Sequence, residues 1–135
     1  MTDKQSRLVE ANALVAAISK HGRRFFYNKE HQRIAQFEIG FGGHIFFIDD
    51  YSAKRIYVAD NGRWRGFSHG GTLRNLVKAI AGYIRTGDKL SIDWIGPERF
   101  DASNIWGYEE SAMVATRSEA LLTGVVYDSL TEVRP

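Results

Sequence analysis

The sequence predicts an α+β fold: an antiparallel meander sheet of about four or five strands, with an N-terminal helix and two later helices packed against it. Three observations point there. Apolar residues recur at spacings of three and four near the start, in the middle and near the end of the chain. Residues 23–67 change to a period of two, rich in β-branched and aromatic side chains. The connections inside that stretch are too short for crossover helices, so neighbouring strands run antiparallel.

The first helix is expected over residues 6–20, where Leu8, Ala11, Val15 and Ile18 draw an apolar stripe and Gly22 stops it. Lys20 and His21 sit in its last turn, where positive charge favours the negative end of the helix dipole. Candidate strands follow at 23–27, 33–39, 44–49, 55–59 and 63–67. In the second, Ala35, Phe37 and Ile39 share one face while Gln36 and Glu38 share the other, the alternation of a half-buried strand. The third is apolar on both faces, Ile45 and Phe47 against Phe46 and Ile48, and so reads as central or covered twice. Gly40, Gly42 and Gly43 supply freedom for the connection before it, and Asp60-Asn61-Gly62 has hairpin chemistry.

Leu73, Leu76, Val77, Ile80, Ala81 and Ile84 form the cleanest amphipathic pattern, with Thr72 as N-cap and Gly87 beyond the end. Residues 88–106 combine a short strand at 90–94, a Gly-Pro turn and a polar loop, and receive no firm assignment; Trp94, Phe100, Trp106 and Tyr108 punctuate that loop. A last helix is expected over 108–123, with Glu109 and Glu110 in its first turn, Gly124 as its stop, and Val125 and Val126 as a short edge strand.

The 135 residues, 44% of them hydrophobic, suit one domain that buries a core without staples. The absence of cysteine removes disulfides, thiolate zinc sites and cysteine nucleophiles. Glu10 and Asn12 interrupt the apolar start, so no signal peptide is read, and no window reaches the roughly 18 apolar residues of a membrane span. A cytoplasmic protein without membrane partners is the expectation. Charge is unevenly placed. Residues 1–90 hold 15 Lys and Arg against 8 Asp and Glu, a balance of +7, whereas residues 91–135 hold 3 against 8, a balance of −5. The basic part offers a surface for an acidic protein or nucleic acid, although an acidic tail packed beside it would neutralise it.

One stretch concentrates chemistry. Arg63, Trp64 and Arg65 lead through His69, Gly70 and Gly71 into the middle helix, where Arg74 and Lys78 follow. A helix starting there exposes unpaired N–H groups, and the glycines admit a phosphate or carboxylate to the main chain. The spacing lacks the further glycine and the Lys-Ser/Thr ending of a nucleotide-binding loop, and Trp64 and Phe67 suit the core equally well. A second basic group, Arg23, Arg24, Lys29 and Arg33 with His21, alternates with Phe25, Phe26 and Tyr27, a pattern shared by single-strand binders and ordinary half-buried strands.

Catalytic signals are weaker. Asp49 and Asp50, with Glu38 and Lys54 nearby, could hold a divalent metal for phosphodiester hydrolysis, yet Asp-Asp-Tyr-Ser-Ala is also an ordinary turn. His21, His31, His44 and His69 form no His-x-x-x-His pair, and Ser68-His69 lacks a nucleophile elbow. No catalytic residue, metal site or cofactor is assigned. The leading expectation is a small noncatalytic domain that docks onto a protein, as inhibitor or adaptor, through a basic face and the aromatic loop. Nucleic-acid binding is the first alternative and a metal-dependent phosphodiesterase the second. Cations sharing one continuous face would favour nucleic acid; scattered cations would favour protein docking.

Overall fold

The computed structural model describes residues 2–21, 26–59, 64–67, 71–95 and 110–128. Helix α1 spans Asp3–His21, α2 Gly71–Thr86 and α3 Glu110–Leu122. Strands β3 (Gln36–Ile39), β4 (Ile45–Ile48) and β5 (Arg55–Tyr57) form an antiparallel meander in that order. The fold is α+β, as the change of period implies.

The sheet's apolar parity is buried and its other parity is not. Phe37, Ile45, Phe47 and Ile56 are buried, and they join Leu14, Val15 and Ile18 of α1 with Leu76, Val77, Ile80 and Ile84 of α2 in one core. Helix α1 packs against β3, α2 and α3, and α2 against β4. Phe47 lies at the centre, with edge-on rings of Phe26, Phe37 and Phe67 at centroid distances of 6.0, 5.5 and 6.0 Å. Such edge-to-face contacts add to the area each ring buries.

The meander is three strands wide among the described residues, narrower than the periodicity suggests. Strands β1 (Tyr27–Asn28) and β2 (Arg33–Ile34) pair only with one another. Ala35 donates to Phe26 O at 2.8 Å, and Phe26 has φ of +65°, so the expected continuous strand over 33–39 breaks at Ala35. Residues 64–67 correct a second expectation. They form a turn rather than a strand, closed by Phe67 N donating to Trp64 O at 3.2 Å, with Gly66 at φ +87° where no strand residue sits. The Asp60-Asn61-Gly62 turn and the Gly22 stop lie outside the described residues.

Strands β6 (Leu90–Ser91) and β7 (Val126–Tyr127) confirm the two short segments read near the end, and they pair parallel, which the sequence did not indicate. A 3-10 turn, Ile92–Trp94, follows β6. Helix α2 starts at Gly71, so Thr72 lies inside it rather than capping it. Gly87 and Gly124, at φ +84° and +85°, end α2 and α3 as expected. Lys20 and His21 at the end of α1 reach Glu119 of α3 at 3.1 and 3.0 Å. The hydrogen bond from Lys20, with a smaller one from His21, holds the Glu119 carboxyl below its ordinary range against a modest opposing desolvation. No described helix is long and apolar enough to cross a membrane.

Candidate functional site

The sheet's second face carries the residues that the core does not use. Because side chains alternate, the register places Glu38, Phe46 and Tyr57 in one cross-strand row and Gln36, Ile48 and Arg55 in the next. Among the described residues α1 and α2 lie against the opposite, buried parity, and α3 packs on α1. The row is extended by His44, whose ring lies 4.7 Å from that of Tyr57, while Phe46 lies 5.6 Å from Tyr57 on the other side. Arg55 places its guanidinium carbon 3.7 Å from the Phe46 ring centre and donates from Nε to Glu38 Oε1 at 2.9 Å. Phe46, Arg55, Tyr57 and Arg65 line a hollow of about 380 Å³.

The β3–β4 connection supports this face and adds to it. A 3-10 turn, Phe41–Gly43, projects Phe41 with 95% of its surface exposed. Gly42 and Gly43 take φ of +70° and +77°, and Lys4 Nζ of α1 anchors the turn by donating to Gly43 O at 2.7 Å. Gly40 has an ordinary φ of −103° and is required for a different reason: a Cβ there would meet Phe46 Cε2 at 2.5 Å and run into the Arg55 guanidinium. The missing side chain at Gly40 is therefore what lets Arg55 lie on Phe46.

The residues singled out around the cationic turn separate. Trp64 is buried, at 5% exposure, donates from Nε1 to Ala59 O at 2.9 Å, and meets Phe67 edge-on at 5.3 Å. Arg74 lies over the Trp64 ring at 4.4 Å. Arg65 is exposed and turns to the sheet hollow, beside Arg55 rather than Arg74. Lys78 is exposed on α2, and Gly71 is the first residue of that helix. Arg63, His69 and Gly70 lie outside the described residues.

The described members of the second basic group, Lys29 and Arg33, stand apart in their contacts. Lys29 is exposed in the β1–β2 turn. Arg33 Nη1 donates to Tyr51 O at 2.9 Å and Asp50 O at 3.3 Å, latching that hairpin onto the β4–β5 connection. Arg23 and Arg24 lie outside the described residues. The aromatic loop is represented by Trp94, 40% exposed beside a groove that it lines with Gly82 and Tyr127, while Phe100, Trp106 and Tyr108 lie outside.

Asp49 organises the β4–β5 connection. Its Oδ2 accepts from Tyr51 N at 3.2 Å, Ser52 N at 2.8 Å and Ser52 Oγ at 2.9 Å, the local capping that short acidic side chains provide in turns. Asp49 and Asp50 are both buried. Among the described residues no group of three His, Cys, Asp or Glu side chains could hold a metal.

Sequence reasoning missed Phe41, His44, Phe46, Arg55 and Tyr57 as a set. The signal was present in part: Arg55 and Tyr57 share one parity of a strand whose other parity is apolar. In β4 both parities are apolar, so the pattern alone does not say that Phe46 faces away from the helices.

Comparison with known proteins adds a family. The model of the YoqU family matches residues 2–131. The chain is similar to the SPbeta prophage-derived uncharacterized protein YoqU of Bacillus subtilis strain 168, 33% identical over 122 residues that cover 89% of this chain and 82% of that protein. No solved structure matches the chain.

Proposed function

We propose, for a chain that belongs to the YoqU family, a noncatalytic role as a protein-docking domain, an inhibitor or adaptor acting in the cytoplasm through the outer face of its three-stranded sheet. One observation carries the reading: His44, Tyr57 and Phe46 form a continuous ring ladder with Arg55 stacked on it, beside a Phe41 that is 95% exposed. Exposed aromatic side chains are costly to leave in water, and aromatic residues and Arg dominate the energetics of protein interfaces. A rigid sheet loses little conformational entropy when its surface is covered.

The dispersal of the described cations supports a protein over a nucleic acid. A polynucleotide needs a track of positive charge along its backbone. Here Arg33 is bonded to hairpin carbonyls, Arg74 lies on Trp64 and Lys78 stands on α2. Glu38 also places a carboxylate in the same row as the rings.

Affinity purification from the native host tests this reading, using the wild-type chain beside Tyr57→Ala with Arg65→Glu. The expected result is a stoichiometric protein partner retained after nuclease treatment and lost with the double variant. Retention of the same partner by the double variant would remove the sheet face from the interface, and recovery of nucleic acid alone would replace the reading.

A further inference from the structure

We infer that the occupant of the outer sheet face is an acidic segment of a partner protein, with a carboxylate received between Arg55 and Arg65 and an apolar pocket for Phe41. This rests on the docking reading above and specifies the chemistry of the partner.

The hollow beside the ring ladder is lined by two guanidiniums, one phenol ring and one phenyl ring. Arg65 makes no hydrogen bond or ion pair with any described residue, and it stands exposed at the rim of this hollow. Against Arg55 and Arg65 stands one described carboxylate, Glu38, so the hollow keeps an excess of positive charge. A guanidinium fork matches a carboxylate in two parallel hydrogen bonds, and Arg55 is already held flat on Phe46, so little freedom is lost on binding.

Size favours a carboxylate over a nucleotide chain. Arg55 covers a face of Phe46, closing it to a stacking base, while the two arginines remain able to hold one small anion. Glu38, 43% exposed and bonded to Arg55, is the internal competitor that an incoming carboxylate displaces or joins. Phe41, almost fully exposed in the turn that precedes His44, demands an apolar site on the partner at one end of the acidic segment.

A random peptide library panned against the full chain tests the inference. Enriched peptides are expected to carry Asp or Glu next to an apolar residue, and to lose about tenfold or more in affinity against Arg65→Glu. Exchanging the peptide's acid for Lys should restore binding to that variant. Glu38→Gln should tighten binding and Lys78→Glu should leave it unchanged. Peptides weakened by Tyr57→Ala but not by Arg65→Glu, or enriched without acids, would overturn the acidic occupant and leave the docking face standing. Peptides insensitive to both variants, or no enrichment at all, would overturn both. Tighter, steeply salt-dependent binding of an oligo-dT strand to this face would do the same and assign the face to nucleic acid.

Discussion

Asn12 of α1 takes the place of a strand beside Phe37: its Nδ2 donates to Phe37 O at 3.0 Å and its Oδ1 accepts from Phe37 N at 2.7 Å. Strand β3 is the outer strand of the meander, where main-chain groups otherwise lack a partner. Asn12→Ala leaves both groups unpaired against a core face and should destabilise the protein by about 2–4 kcal/mol. Asn12→Asp should cost at least as much, because a carboxylate cannot donate to the Phe37 carbonyl. Urea unfolding measures both, and an unchanged midpoint for either variant would contradict the role.

Tyr83 of α2 supplies an alkaline signature. Burial, then its hydrogen bond to Glu10 at 2.8 Å and the charge of that carboxylate, push the phenol up to about 12, opposed in part by Arg7. A pKa raised on folding gives stability that is complete below the unfolded value near 10 and is lost as pH rises toward 12. Thermal unfolding of the wild type should therefore decline across that window, and Tyr83→Phe should lack this part of the decline. Identical slopes would show that Tyr83 ionises as freely folded as unfolded.

Trp64 separates packing from anion binding. As a buried ring bonded to Ala59 O, it should cost about 3–5 kcal/mol on replacement by Ala. Loss of the cation over that ring in Arg74→Ala should contribute less, about 0.5–1 kcal/mol. Chemical denaturation gives the two values, and a Trp64→Ala variant as stable as the wild type would return that residue to the surface.

Gly40 tests the construction of the outer face. Gly40→Ala should force Arg55 from Phe46, changing the ring environment seen in the NMR spectrum of Phe46 while the buried Phe37 and Phe47 resonances stay close to their original positions. Movement of all three rings together would mean that Gly40 serves the fold rather than the surface.

What could be read from the sequence follows the physics of each signal. The stripe of α2 and the alternation of β3 were legible because only one face of each is apolar, so period and burial coincide. The turn at 64–67 was not, since Trp64 and Phe67 at a spacing of three reach the core from a turn as readily as from a strand. The clasp on Phe37 was hidden because Asn12 reads as a mere interruption of an apolar run until β3 lies beside it. The cationic turn brings Arg65 and Arg74 close in sequence, yet they diverge, one to the sheet hollow and one to the Trp64 ring. Local order in a sequence does not determine which face a turn residue joins. The outer ring ladder depends on strand register, which short apolar runs such as Ile45–Ile48 leave undetermined.

Site-specific photo-crosslinking in the native host tests the central claim most directly, with a benzophenone side chain placed at Tyr57 and, as the control, at Lys78 on α2. The account predicts a discrete protein adduct from position 57 and none from position 78. Equal adducts from both positions, or adducts to nucleic acid from position 57, would contradict it.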